Sequence, residues 1–141
     1  MNNFAVDYIV KEKEGVVVCI ISDCEFNAVA MVDEYTDVFV IPWCQIPLEY
    51  RLNEQYKGVA KCMPGDIFNE EYGKKVAYRK AYLKYATALE KKVKLIESTH
   101  REYTESLQKK FDLAVKKING KTETAQALLN KILEEQGNET A

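Results

Sequence analysis

Apolar and polar positions follow two different periods along the chain, and the change falls near Asp66. From Phe4 to Lys11 the residues alternate, with Phe4, Val6, Tyr8 and Val10 on one side and Ala5, Asp7 and Ile9 on the other. That is the period-two pattern of a β-strand. A charged turn, Lys11-Glu12-Lys13-Glu14-Gly15, leads into Val16-Val17-Val18-Cys19-Ile20-Ile21. This β-branched run has strand length and reads as buried on both faces. Ser22-Asp23-Cys24-Glu25 and Asp33-Glu34-Tyr35-Thr36 are turn-forming stretches, which predict two further strands, Phe26 to Val32 and Val38 to Ile41. Connections this short make an antiparallel meander, because parallel strands need a crossover of a dozen or more residues. Pro42 and Pro47 keep Trp43-Cys44-Gln45-Ile46 out of any central strand. A last strand is predicted from Tyr56 to Cys62, and Met63-Pro64-Gly65-Asp66 stops the sheet.

After Asn69 the period becomes helical. Asn69 is a good N-cap, and Glu70 and Glu71 place carboxylates in the first turn, where they complement the helix dipole. Apolar residues then recur at Tyr78, Tyr82, Tyr85, Leu89, Val93, Ile96, Tyr103, Leu107, Phe111, Ala114 and Ile118, with His100 filling the one gap. The mean step is about 3.6 residues, an α-helical stripe and not a strict heptad. Thr99-x-x-Glu102 has the form of a capping box, which would mark a break near Ser98. The stripe runs through it in register, which favours one helix over 70–118. Asn119-Gly120 is expected to end that helix, and Thr122 or Thr124 to cap a shorter one over 122–136. The chain therefore reads as an α+β protein, an antiparallel sheet domain over 1–66 and a helical extension over 67–141. A return helix of that length covers only ~21 Å of the stripe. His100, Tyr103, Leu107 and Phe111 are left needing a partner helix, so a homo-oligomer assembled through the C-terminal helices is expected.

Composition narrows the function by exclusion. Charged residues at 30% and hydrophobic residues at 47% are ordinary for a folded domain. No apolar run approaches the ~20 residues of a membrane span, and the N-terminus lacks signal-peptide architecture, so a cytoplasmic protein is expected. Cys19, Cys24, Cys44 and Cys62 contain no C-x-x-C pair, and His100 is the one histidine, which argues against a metal site. No nucleophile elbow, H-E-x-x-H, P-loop or dinucleotide fingerprint occurs. No catalytic residue, enzyme activity or cofactor is expected.

Charge, by contrast, points to a place. Residues 1–56 carry a net −7, residues 57–121 a net +8 and the last twenty residues −3. Within the basic block, Gly73-Lys74-Lys75-x-x-x-Arg79-Lys80-x-x-x-Lys84 puts five cations into the first four helical turns. Cations there oppose the dipole, so helix propensity does not ask for them. Together with the unpaired amides of a helix start they make an anion-attracting corner. Lys75 and Arg79 are four apart and share a face, suited to a pyrophosphate. Phe68 and Tyr82 can sandwich a base, and Trp43 can add an aromatic wall. Tyr78, Tyr82 and Tyr85 serve equally well to pack sheet against helix.

The stretch Lys57-Gly58-Val59-Ala60-Lys61-Cys62-Met63-Pro64-Gly65-Asp66-Ile67-Phe68-Asn69, followed by Gly73-Lys74-Lys75-x-Ala77-x-Arg79-x-Ala81, resembles small proteins of phages and prophages. The layout resembles the phage sponge proteins that counter the bacterial Thoeris defence. That resemblance implies an anti-defence protein that binds and sequesters a cyclic ADP-ribose isomer. It also implies a separate site for cyclic oligonucleotides in some members, a homo-oligomer, and residence in the host bacterial cytoplasm. The family's pocket uses arginines four apart on a helix plus aromatics. Arg79 matches the second of these, and Lys75 stands where the first would be, keeping the charge and losing the planar fork. Two rival readings remain. One is a protein-interaction inhibitor or scaffold that docks a partner through the acidic sheet or the long helix. The other, a nucleic-acid binder using the basic stripe, is the weaker.

Overall fold

A computed structural model describes residues 4–36 and 45–139. Its elements run β1 (Ala5–Lys11), β2 (Val16–Ser22), α1 (Asn27–Thr36), β3 (Tyr56–Lys61) and α2 (Glu70–Glu139), with single 3-10 turns at Glu12–Glu14 and Leu48–Tyr50. The chain divides into two compact units, Met1–Ser98 and Thr99–Ala141.

In the first unit the strands form an antiparallel sheet in the order β1-β2-β3. The register aligns Tyr8 with Cys19 and Gly58, and Val10 with Val17 and Ala60. Side chains alternate across a pleated sheet, so Val17, Cys19, Ile21, Gly58 and Ala60 share one face. That face is buried beneath Ala77, Ala81 and Tyr85 of α2. Two glycines let helix and sheet meet. A Cβ on Gly58 would lie 2.1 Å from the Ala77 carbonyl oxygen, and one on Gly73 would lie 2.7 Å from Val17. The β2 run, expected to be buried on both faces, is fully buried on this one and half-buried on the other. The outer face carries Ile9, Val18, Ile20 and Val59, of which Ile9 and Val59 are exposed.

The segment expected to form a strand from Phe26 to Val32 is instead the start of α1. Asp23 takes a left-handed backbone (φ 62°), and the Ala30 amide donates to the Phe26 carbonyl at 2.9 Å, the i→i−4 bond of a helix. Ala28 and Ala30 favour helix, and a seven-residue apolar run is too short for its period to decide between the two. Ala28 and Val29 are buried in the same core as the sheet. Arg51 holds the following loop by donating to the Ile46 carbonyl at 2.7 and 3.0 Å, pairing with Glu25 at 3.4 Å and lying over the Phe26 ring. The expected strand from Val38 to Ile41 falls outside the described residues, as do Trp43 and Cys44.

The two-helix reading of the C-terminal half is also corrected. α2 continues through Ser98 and through Asn119-Gly120 to Glu139. Thr122 and Thr124, expected as caps of a second helix, donate their hydroxyls back to the Ile118 and Gly120 carbonyls at 3.0 Å. One glycine costs a helix only about 1 kcal/mol, and no proline follows to enforce the stop. With no return helix, every residue from Arg101 to Gly137 is exposed. Among the described residues no helix is long and apolar enough to cross a membrane.

Candidate ligand site at the strand-to-helix junction

β3 delivers the chain to the loop 62–69, and Asn69 starts α2 as the sequence predicts, its Oδ1 accepting the Tyr72 amide at 3.1 Å. Between loop, strand and first helical turns lies a cavity of about 500 Å³. Phe68, Tyr72 and Val76 supply its apolar and aromatic lining, Lys61 and Lys80 its cations, and Cys62 a thiol. The size and the mixture fit a small-molecule site. The Cys62 thiol donates to the Asp66 carbonyl at 3.4 Å, which folds the loop back onto its own start.

The five cations of the sequence motif divide by role. Lys80 and Lys84 donate to the carbonyls of Val59 and Lys57 at 3.0 and 2.8 Å. Those carbonyls point away from β2, so the two ammonium groups occupy positions a further strand would use, a device that guards an exposed edge. Lys74 lies over the Tyr8 ring, its Nζ 5.4 Å from the centre. Arg79 sits beside the Tyr78 ring at 5.9 Å. Lys75 and Arg79 are both exposed and line one shallow groove of about 340 Å³ with Val76, Lys80 and Leu83. Val76 and Lys80 also line the larger cavity, so the groove and the cavity adjoin.

The sequence-selected residues are therefore only partly gathered. Phe68 is in the cavity, with Lys75 and Arg79 next to it. Tyr82 belongs to a separate aromatic cluster, stacked on Tyr78 at 5.8 Å and tilted against Phe4 at 6.3 Å. Tyr85, at the centre of that cluster, is buried and accepts a hydrogen bond from Asn27 at 3.1 Å. Its burial raises the hydroxyl's pKa, which the Asn27 bond opposes. Burial likewise pushes the Cys24 thiol to about 11, helped by the neighbouring Asp23. Neither group is poised for chemistry near neutral pH. Lys61, Tyr72 and Cys62 were not selected from sequence. Tyr72 lies three residues past the cap, a spacing that could have marked it.

The residues proposed for self-association fall in the second unit and at its start. His100 is half-buried, while Tyr103, Leu107 and Phe111 are exposed, Tyr103 by 66% and Phe111 by 59%. Among the described residues no group of histidine, cysteine and carboxylate side chains is placed to hold a metal ion. No family model, curated protein or solved structure matches this chain.

Proposed function

We propose that this chain is a non-enzymatic, phage-type anti-defence protein that binds and sequesters a cyclic nucleotide immune signal at the strand-to-helix junction. The signal class is a cyclic ADP-ribose isomer, with cyclic oligonucleotides as a second ligand. The observation that carries this reading is the adjacency of Lys75 and Arg79 to the cavity that holds Phe68. A pyrophosphate on the exposed cations leaves an attached base within reach of Phe68 and Tyr72. Lys80 contributes charge from the shared wall while tied to β3. Tyr82 supports the site through its cluster and does not stack on the ligand.

Sequestration in this reading uses a homo-oligomer built through α2 beyond Ser98, the stretch whose apolar residues lie open. A second reading, docking of a partner protein, is favoured by the outer sheet face, where Ile9 and Val59 are exposed beside Val18 and Ile20.

The test is direct. Purified protein is denatured and the released small molecules are identified by mass spectrometry. Isothermal titration then measures binding of cyclic ADP-ribose isomers and cyclic oligonucleotides. Release or micromolar binding of any of these supports the nucleotide reading. A chain that releases none and binds none is to be reassigned to protein docking.

A further inference from the structure

The exposed part of α2 carries an eleven-residue repeat. Leu107, Ile118 and Leu129 are eleven apart, and so are Ala114 and Ala125. The core steps run four, three, four, and that order is the same read in either direction. A repeat of 3.67 residues per turn keeps one seam between two helices that wind around each other with a gentle right-handed supercoil. Residues 99–139 extend for about 60 Å, and a seam about 10 Å wide offers roughly 600 Å² per copy. Two copies would bury about 1,200 Å², the lower end of the range for specific interfaces.

We propose that this seam pairs with the same seam of a second copy in antiparallel orientation, centred on Ile118. This rests on the self-association stated above and adds its direction and register. Two independent features of the sequence select the direction. The first is size. Antiparallel pairing about Ile118 sets Leu107 against Leu129 and the large Phe111 against the small Ala125. A parallel pair in register sets Phe111 against Phe111 and Ala125 against Ala125, crowding one layer and leaving a void in another. The second is charge. Residues 99–121 carry a net +3, with Lys109, Lys110, Lys116, Lys117 and Lys121 against Asp112 in their last half, and residues 122–139 carry −3. In a parallel pair every charge lies beside its own copy, so the acidic end faces itself. Antiparallel pairing sets Lys131 near Glu105 and Arg101 near Glu135. It lays the acidic end of each helix along residues 99–114 of the other, which carry no net charge, while Lys116, Lys117 and Lys121 stay near the centre.

The experiment places a photocrosslinker in the full-length chain as Phe111→p-benzoylphenylalanine, with Tyr103→p-benzoylphenylalanine as a second position should the first disturb folding. Covalent dimers are separated after irradiation, cut with trypsin and read by mass spectrometry. The expected product joins the peptide holding position 111 to Thr122–Lys131 of the other copy, and position 103 to Ile132–Ala141. A link from position 111 to the 102–116 region of the other copy would overturn the antiparallel register while leaving self-association standing. Absence of a covalent dimer at both positions, in a sample that light scattering shows to be monomeric, would remove self-association itself.

Discussion

One helix, α2, lives in two environments. Before Ser98 its inward residues Ala77, Ala81, Tyr85 and Ile96 are buried, at most 4% exposed, and its lysines hold the sheet edge. After His100 the same three-and-four spacing continues, yet Leu107, Phe111 and Ile118 are exposed. The spacing records which face of a helix wants cover and is silent about what supplies it. In the first stretch the cover is the chain's own sheet, and small residues mark it, because close approach needs Ala77, Ala81 and Gly58. In the second the seam carries larger side chains, among them Leu107, Phe111 and Ile118, and these are exposed. On the self-association proposed above, the cover of this second stretch comes from another copy of the chain.

Substitutions should separate the two stretches. The largest effect is expected from Gly58→Val, whose side chain would collide with the Ala77 and Ala81 backbone of α2. More than about 4 kcal/mol should be lost, seen as the disappearance of the cooperative thermal transition at every protein concentration. Tyr85→Ala should follow, costing about 3–5 kcal/mol for a buried aromatic, again independently of concentration. Leu107→Glu or Phe111→Glu should instead leave the sheet unit folded and reduce the mass measured by light scattering to that of one chain, since each symmetric contact would bury a carboxylate. An unchanged mass would show that the seam is not the contact.

Arg79→Ala tests the candidate site apart from both. Arg79 is exposed, so its removal should alter stability by no more than about 0.5 kcal/mol. A lost charge-assisted hydrogen bond of roughly 1.5–3 kcal/mol should weaken nucleotide binding by about 10- to 150-fold in titration calorimetry. Lys75→Arg should tighten it if a planar fork at that position improves the phosphate contact. A further effect is on pH dependence. Burial favours the neutral Cys24 thiol, so its contribution to stability is complete below about pH 9, its ordinary value, and is lost as the pH rises toward about 11. Thermal melts of the parent should fall across that window, and Cys24→Ala should flatten the fall.

Three strands, their antiparallel sense and the start of α2 are legible because each carries a signal longer than its alternatives. The alternation of Phe4 to Lys11, the β-branched run from Val16 and the Asn69 cap are such signals. The direct pairing of β2 with β3 is not legible, since the meander read from sequence puts other strands between them. α1 was not legible, because Phe26 to Val32 is apolar at nearly every position and its alanines were outweighed by neighbouring turn residues. The continuity of α2 was missed because Gly120 looks like a terminator, and a threonine hydroxyl serves a cap or an i−4 carbonyl equally well. At the site, Lys75, Arg79 and Phe68 could be placed near one another from the junction alone. The use of Lys80 and Lys84 on the β3 edge depends on how the helix crosses the sheet, which spacing along one helix does not encode.

Hydrogen exchange at two protein concentrations tests the central contrast most directly. The account predicts that amides of β1–β3 and of α2 up to Ser98 keep the same protection on dilution. Amides from Arg101 to Gly137 should be protected only where light scattering shows an oligomer, and should exchange within seconds in the monomer. Protection of that stretch that survives dilution to a single chain would contradict it, because the helix would then owe its order to something within its own copy.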